Sequence, residues 1–237
     1  MKVLPLVGTE LRSAIIGMVA GDAGIRQQKG CKSVSLRIHH AERQKEYLEY
    51  KRDILQNLFR EWEITVKPFN NSGYPGVRLA TRTHPRLRTV YKWFYKNGKK
   101  QFSRSILNYL TPNGIALWYM DDGSLSYKKR DGLIHGREIH LNTYCSFEEA
   151  EIIQTYFKDV WNMSWTLVSN KGFYRLRMGA GEAQKLFAMI DPYIVPCMRY
   201  KLDLKYKSTS PLASDNFFVK KEVDEIVHTQ TKVWGKV

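Results

Sequence analysis

One design occurs twice in this chain. "AIIGMVAGDAGI" at 14–25 and "GIALWYMDDGSL" at 114–125 are apolar runs with small residues, each running into an acid, and Asp22 and Asp122 lie 100 residues apart. A unit present only twice is not a solenoid. Two copies in one chain are expected to pack about a pseudo-twofold axis and to build one central site from two half-sites.

The segments that follow each acid match in order. In the first copy, 32–40 alternates Val34, Leu36 and Ile38 with polar residues, the period of a strand with one wet face. Residues 41–62 read as an amphipathic helix, with Tyr47, Leu48, Ile54, Leu55 and Leu58 on one face. Strands at 63–69 and 76–82 are joined across "NNSGYPG", and 85–98 reads as a helix stopped by Asn-Gly. In the second copy, 137–144 alternates as a strand, and Ser146 three residues before Glu149 is a capping-box signature for a helix over 146–161. A hairpin over 164–178 turns at Asn170-Lys171-Gly172, and a helix over 181–190 is halted by Pro192. Each half is therefore expected to be αββαββα, an α+β fold. The halves are set at 10–98 and 113–206, with a linker at 99–112. Residues 207–237 have no counterpart and read as a C-terminal extension.

Gly17 and Gly21 are four apart on one side of the first motif helix, where small residues let a second helix approach closely. The expected partner is the equivalent helix of the other half. That packing would bring Asp22 and Asp122 together at two helix ends. A helix C-terminus disfavours a carboxylate by about 0.3–1 kcal/mol, and neighbouring carboxylates repel. A bound cation relieves both. Carboxylates without His or Cys neighbours favour hard divalent ions, Mg²⁺ above all. "DDG" is also a common helix-ending turn, and its repetition on the matching helix is what favours chemistry over that reading.

The 38 Lys+Arg against 23 Asp+Glu give a net charge of +15, which favours a polyanionic partner, nucleic acid first. With Mg²⁺, that points to metal-assisted phosphodiester hydrolysis. Cys31, Cys145 and Cys197 make no CxxC pair, and His39, His40, His84 and His135 show no HxxxH spacing, so no zinc site is read. No apolar run reaches the ~18 residues of a membrane span, and the start does not read as a signal or transit peptide. The protein is expected not to be secreted.

These motifs resemble those of the LAGLIDADG homing endonucleases, in particular the single-chain type. In the nine-residue register, Ile15 to Ala23 is motif one and Ile115 to Gly123 is motif two. "KNGKKQF", "NYLTPNGIALWYMDDG" and "YIVPCMRYKL" extend the likeness, and the element order carries it over about residues 10–205. Ala23 replaces the last Gly of motif one, and Leu117 and Asp121 stand where motif one has glycines. The resemblance implies a saddle of antiparallel sheets with the two motif helices at its centre. It implies a monomer that hydrolyses both strands of a long, asymmetric duplex site with Mg²⁺, Mn²⁺ substituting, in support of intron or intein mobility. Asp22 and Asp122 fall on the metal-binding position, and the backbone carbonyls of Gly21 and Ala23 are weaker candidate ligands. Lys100 and Lys201, 78 and 79 residues after their acids, match the family's basic position near each active site. Such proteins work in an organelle matrix or in bacterial or phage cytoplasm. The rival expectation is a non-cleaving binder, either an RNA maturase that assists intron folding or a DNA-binding regulator.

Basic residues crowd the polar strand faces. Arg26, Gln28, Arg37, His39, Lys67, Arg78 and Arg82 come from the first half, and Lys128, Arg130, Arg137, His140, Lys171, Arg175 and Arg177 from the second. Two-stranded ribbons fit the DNA major groove, where Arg reads guanine and Gln reads adenine, while Lys pairs with phosphates.

Overall fold

The computed structural model describes residues 8–27, 30, 33–71, 73–131 and 133–202. Gln28 and the extension at 207–237 lie outside the described residues. The chain divides into two compact units, Met1–Asp121 with Val195–Arg199, and Asp122–Ile194 with Tyr200–Val237.

The first unit runs α1 (Thr9–Ala20), β1 (Gly24–Gln27), β2 (Val34–Ala41), α2 (Lys45–Gln56), β3 (Val66–Asn71), β4 (Tyr74–Ala80) and α3 (Pro85–Phe94). It continues through β5 (Tyr95–Lys96), β6 (Lys99–Lys100), α4 (Arg104–Leu107) and α5 (Pro112–Asp122), whose last residue begins the second unit. Its antiparallel sheet has the order β1-β2-β4-β3. Val34, Leu36 and Ile38 of β2 are buried while Arg37 and His39 are exposed, so the period-two reading of this strand holds. Tyr47, Leu48 and Leu55 of α2 and Leu87, Val90 and Phe94 of α3 complete the core.

The second unit repeats the plan with β7 (Gly123–Arg130), β8 (Leu133–Cys145), α6 (Phe147–Trp161), β9 (Thr166–Asn170), β10 (Phe173–Gly179) and α7 (Ala180–Ile190). Its sheet order, β7-β8-β10-β9, is the same permutation as in the first unit. Ser146 and Glu149 form the full capping box at the start of α6. Lys171 and Gly172 both take positive φ, 52° and 82°, as a tight hairpin turn requires. Among the described residues, no helix is long and apolar enough to cross a membrane.

Three segments differ from the sequence reading. The α2 helix stops at Gln56, not near 62, because the Gln56 side chain turns the chain. Its amide donates to the carbonyls of Phe59 and Trp62, and its oxygen accepts from the Ile64 amide. Next, α3 stops at Phe94, and Asn97-Gly98 is the turn of a small hairpin pairing Tyr95 with Lys100 and Lys96 with Lys99. Both turn residues take positive φ, 51° and 75°. Finally, 99–112 is not a bare linker but folds with the first unit. Phe102 sits between Phe94 and Trp118 at ring distances of 6.2 and 5.4 Å, and Trp93 stacks on Tyr109.

The two motif helices, α1 and α5, meet inside the first unit through glycine. A Cβ at Gly17 would lie 2.8 Å from the carbonyl carbon of Gly114. A Cβ at Gly114 would lie 2.6 Å from the carbonyl oxygen of Ser13. The fully buried Ser13 hydroxyl accepts the Thr111 amide at 2.7 Å, tying the start of α5 to α1. Backbone faces backbone here, so no side chain can rotate away to make room. Gly17→Leu should therefore lower stability by about 1–3 kcal/mol or more, the range for overpacked cores, read as the shift in urea midpoint.

Candidate metal and nucleic-acid site

The end of α1 is built around Asp22. The Ala23 amide reaches back to the Met18 carbonyl at 2.9 Å and closes the helix. That leaves the Asp22 amide outside the helical ladder, and it donates to Oδ2 of Asp121 at 3.1 Å. The Asp22 carboxylate is 44 % exposed, whereas that of Asp121 is fully buried. Position seven of motif one must be Gly21 for this contact, since a Cβ there would lie 2.9 Å from Cγ of Asp121.

Asp121 is held from α2. Lys51 forms a buried ion pair with its Oδ1, and the Tyr47 hydroxyl donates to the same oxygen at 2.9 Å. Burial, then the Asp121 charge, pushes the Tyr47 phenol well above its usual pKa, so it remains a donor. Lys51 also meets Nε2 of His40 at 3.0 Å. An ammonium has no acceptor, so Lys51 donates there and a neutral His40 carries its proton on Nδ1. That Nδ1 faces Oδ2 of Asp22 at 3.7 Å.

Asp22, His40 and Asp121 offer ligand atoms within 4.8 Å of one another, the one group of three that could hold a metal among the described residues. The three are not equivalent. Asp121 already serves Lys51, Tyr47 and the Asp22 amide. Asp22 is the solvent-facing oxygen donor, which suits a hard, partly hydrated cation. Lys100, brought in by the β5–β6 hairpin, donates to the carbonyls of Ala20 and Gly21 at 2.8 and 2.9 Å. A cation at a helix C-terminus is favourable, and it offsets the charge of the adjacent acid. The Gly21 carbonyl, a candidate ligand by resemblance, is thus occupied by Lys100, and Ala23 is buried.

In the second unit, Asn142 of β8 donates to the Asp122 carbonyl at 2.9 Å and to Ser124 Oγ at 3.1 Å, fixing the turn from α5 into β7. Lys201 lies in the 3₁₀ helix Pro196–Leu202 and is 9 % exposed.

The polar sheet faces are not alike. In the first unit, Lys67, Arg78 and His39 stand in register across β3, β4 and β2, with Arg37 and Arg26 exposed nearby. Burial, then Arg78, Arg26 and Arg37, lowers the pKa of His39, which keeps it neutral near pH 7. Arg82 covers the Trp62 ring at 5.3 Å. In the second unit an acid intervenes. Glu138 pairs with Lys128 at 2.9 Å, His140 at 3.5 Å and Arg177 at 3.7 Å. Burial raises the Glu138 pKa, but the Lys128 hydrogen bond and the surrounding cations outweigh it and hold it low. His140 is only 4 % exposed. Arg137 departs from its expected place. It shares the parity of Ile139 and Leu141, is 8 % exposed, and lays its guanidinium over the Tyr127 ring at 5.1 Å. Lys171, at its hairpin tip, and Arg130 are exposed, and Arg175 is half-buried.

Three site residues escaped the sequence reading: Lys51, Asp121 as a buried anchor, and His40. One signal was present for the first. Lys51 falls on the stripe of Tyr47, Leu48 and Leu55, where an unpaired lysine has no place. Removing one partner of a buried pair strands the other charge. Lys51→Ala should therefore cost about 3–5 kcal/mol, whereas Lys51→Met with Asp121→Leu should be near neutral, compared by urea denaturation.

The LAGLIDADG DNA endonuclease family matches residues 12–186. The chain is 26% identical over 200 residues to cytochrome b mRNA maturase bI2 of Debaryomyces hansenii, covering 81% of this chain and 73% of that relative. It is 26% identical over 197 residues to probable intron-encoded endonuclease 1 of Wickerhamomyces canadensis, covering 79% and 81%. It spans about half the length of the Protein RecA sequences it also matches. Its fold is similar to that of the homing endonuclease I-WcaI bound to its DNA recognition sequence, with a TM-score of 0.71 at 24% identity over 84% of this chain and 88% of that one. With motif, topology and family match in agreement, the chain belongs to the LAGLIDADG DNA endonuclease family.

Proposed function

We propose that the chain is a site-specific double-strand DNA endonuclease that acts as a monomer, with Asp22 and Asp122 each holding a divalent ion, Mg²⁺ in the cell. The observation that carries this reading is the contrast at the end of α1. One acid, Asp121, is consumed in a buried ion pair, while its neighbour in space, Asp22, is presented to solvent. A protein of net charge +15 gains nothing for solubility from such an exposed carboxylate. A metal ion bound there would lower the pKa of a bound water and offset charge at the phosphorus. The chain supplies the rest. Asp22 orients the ion, Lys100 balances the helix end, and the row of Lys67, Arg78 and His39 with Arg26 and Arg37 meets the duplex. Lys201 takes the equivalent role for Asp122. Lys128, Arg130, Lys171, Arg175 and Arg177 extend the contact on the second unit. Support of intron or intein mobility fits the intron-encoded relative.

The maturase relative favours one second reading, an RNA binder that assists splicing. The two separate on a single variant. Asp22→Asn should reduce double-strand cutting by about 100-fold or more. Duplex affinity should hold or rise, since a negative charge is removed from the interface. Plasmid-library cleavage with Mg²⁺ supplies the site, and gel shifts with duplex DNA and intron RNA supply the affinities. Undiminished cutting by Asp22→Asn rejects the metal role of Asp22. A wild-type chain that binds intron RNA and cuts no duplex establishes the maturase reading instead.

A further inference from the structure

The second motif carries two acids in succession, and the nuclease reading uses only Asp122. Asp121 has its own environment. Its Oδ2 accepts the Asp22 amide at 3.1 Å, and its Oδ1 accepts Tyr47 and Lys51. Lys51 and the Asp121 side chain are both fully buried. A buried ion pair is a poor stabiliser. Desolvation costs several kcal/mol per ion, and apolar residues of similar volume commonly do as well or better. Its presence calls for a role in geometry.

The geometry supplies one. Lys51 fixes two groups at once: the Asp121 carboxylate that holds the Asp22 backbone, and the His40 imidazole that faces the Asp22 side chain at 3.7 Å. Asp22 is thereby held at its amide, with the His40 ring placed beside its carboxylate. Without that hold, the residue just beyond a helix end is free to choose among turn conformations and side-chain rotamers. Each lost choice is entropy that metal binding need not then oppose. Motif one has Gly21 where motif two has Asp121, so motif one offers no carboxylate at that position.

We propose that Lys51 and Asp121 are positioning residues that preset Asp22 for its metal, an inference that rests on the metal role of Asp22 given above. Partners that orient a metal ligand typically change metal affinity by about 10–100-fold when removed. The test uses the full chain, with the Lys51→Met/Asp121→Leu pair, which removes both charges together, beside Asp22→Asn. Three quantities are read: urea midpoint, hydrogen-exchange protection of the Asp22 amide, and Mn²⁺ affinity by calorimetry. The expected result is an unchanged or raised midpoint, Asp22 protection reduced at least about 10-fold, and Mn²⁺ affinity at one site reduced by about 10–100-fold. Should the paired variant fail to fold, Asp121→Asn, which keeps shape and an acceptor, is read the same way and should lose Mn²⁺ affinity in the same direction. Unchanged protection, or lost protection with Mn²⁺ affinity intact, overturns the positioning role. Equal Mn²⁺ affinity in wild type and Asp22→Asn overturns the metal reading itself, is seen without the paired variant, and takes the positioning role with it.

Discussion

The contact between α1 and α5 is the constraint on which the site depends. It is made by backbone against backbone at Gly17 and Gly114, and by Ser13 accepting the Thr111 amide. Dispersion at one atom pair is worth only about 0.1–0.2 kcal/mol, so such a seam is held by many contacts acting together. What it provides is separation. Only at this distance does a carboxylate on α5 reach the amide just past the end of α1. One added methyl at Gly17 or Gly21 would open the seam and detach Asp121 from Asp22.

Charge is handled locally in a chain of strongly positive sum. At the end of α1, a buried lysine neutralises a buried aspartate, and a second lysine covers two helix carbonyls. Asp22 is left as the exposed acid of that cluster. On the sheet of the first unit, the row of Lys67, Arg78 and His39 contains no acid. On the second, Glu138 gathers Lys128, His140 and Arg177. Two sheets of one topology thus differ in the field they present.

Much of the topology was legible in the sequence, because the physics that reveals it is local. The capping box at Ser146, the turn at Lys171-Gly172 and the halt before Pro192 each depend on a few neighbouring residues. The paired motifs were legible because they recur. What failed was tertiary. Asn97-Gly98 stops a helix equally well as C-cap or as hairpin turn, and only pairing of Tyr95 with Lys100 decides it. The short strand β1, four residues beside a motif end, offers too few positions for a period to register. Arg137 sits on the apolar parity of β8, where a neighbouring aromatic ring accommodates it. His40 was visible as an even-numbered member of the buried face of β2, yet only the fold shows that Lys51 and Asp22 flank it.

The asymmetry of the two motifs follows from packing as much as from chemistry. At position seven, two helices in close contact leave room for one side chain between them. Glycine on one helix makes that room, and aspartate on the other fills it. An identical pair of glycines would leave a gap, and an identical pair of aspartates would collide and place two like charges in a buried seam. A homodimer, bound to repeat one motif, must accept one of those two outcomes. A single chain with two motifs escapes both. It can bury Asp121 of one motif against a lysine on α2 and use it to hold the backbone of Asp22 in the other. Carrying two motifs in one chain therefore lets position seven be glycine in one and a buried aspartate in the other.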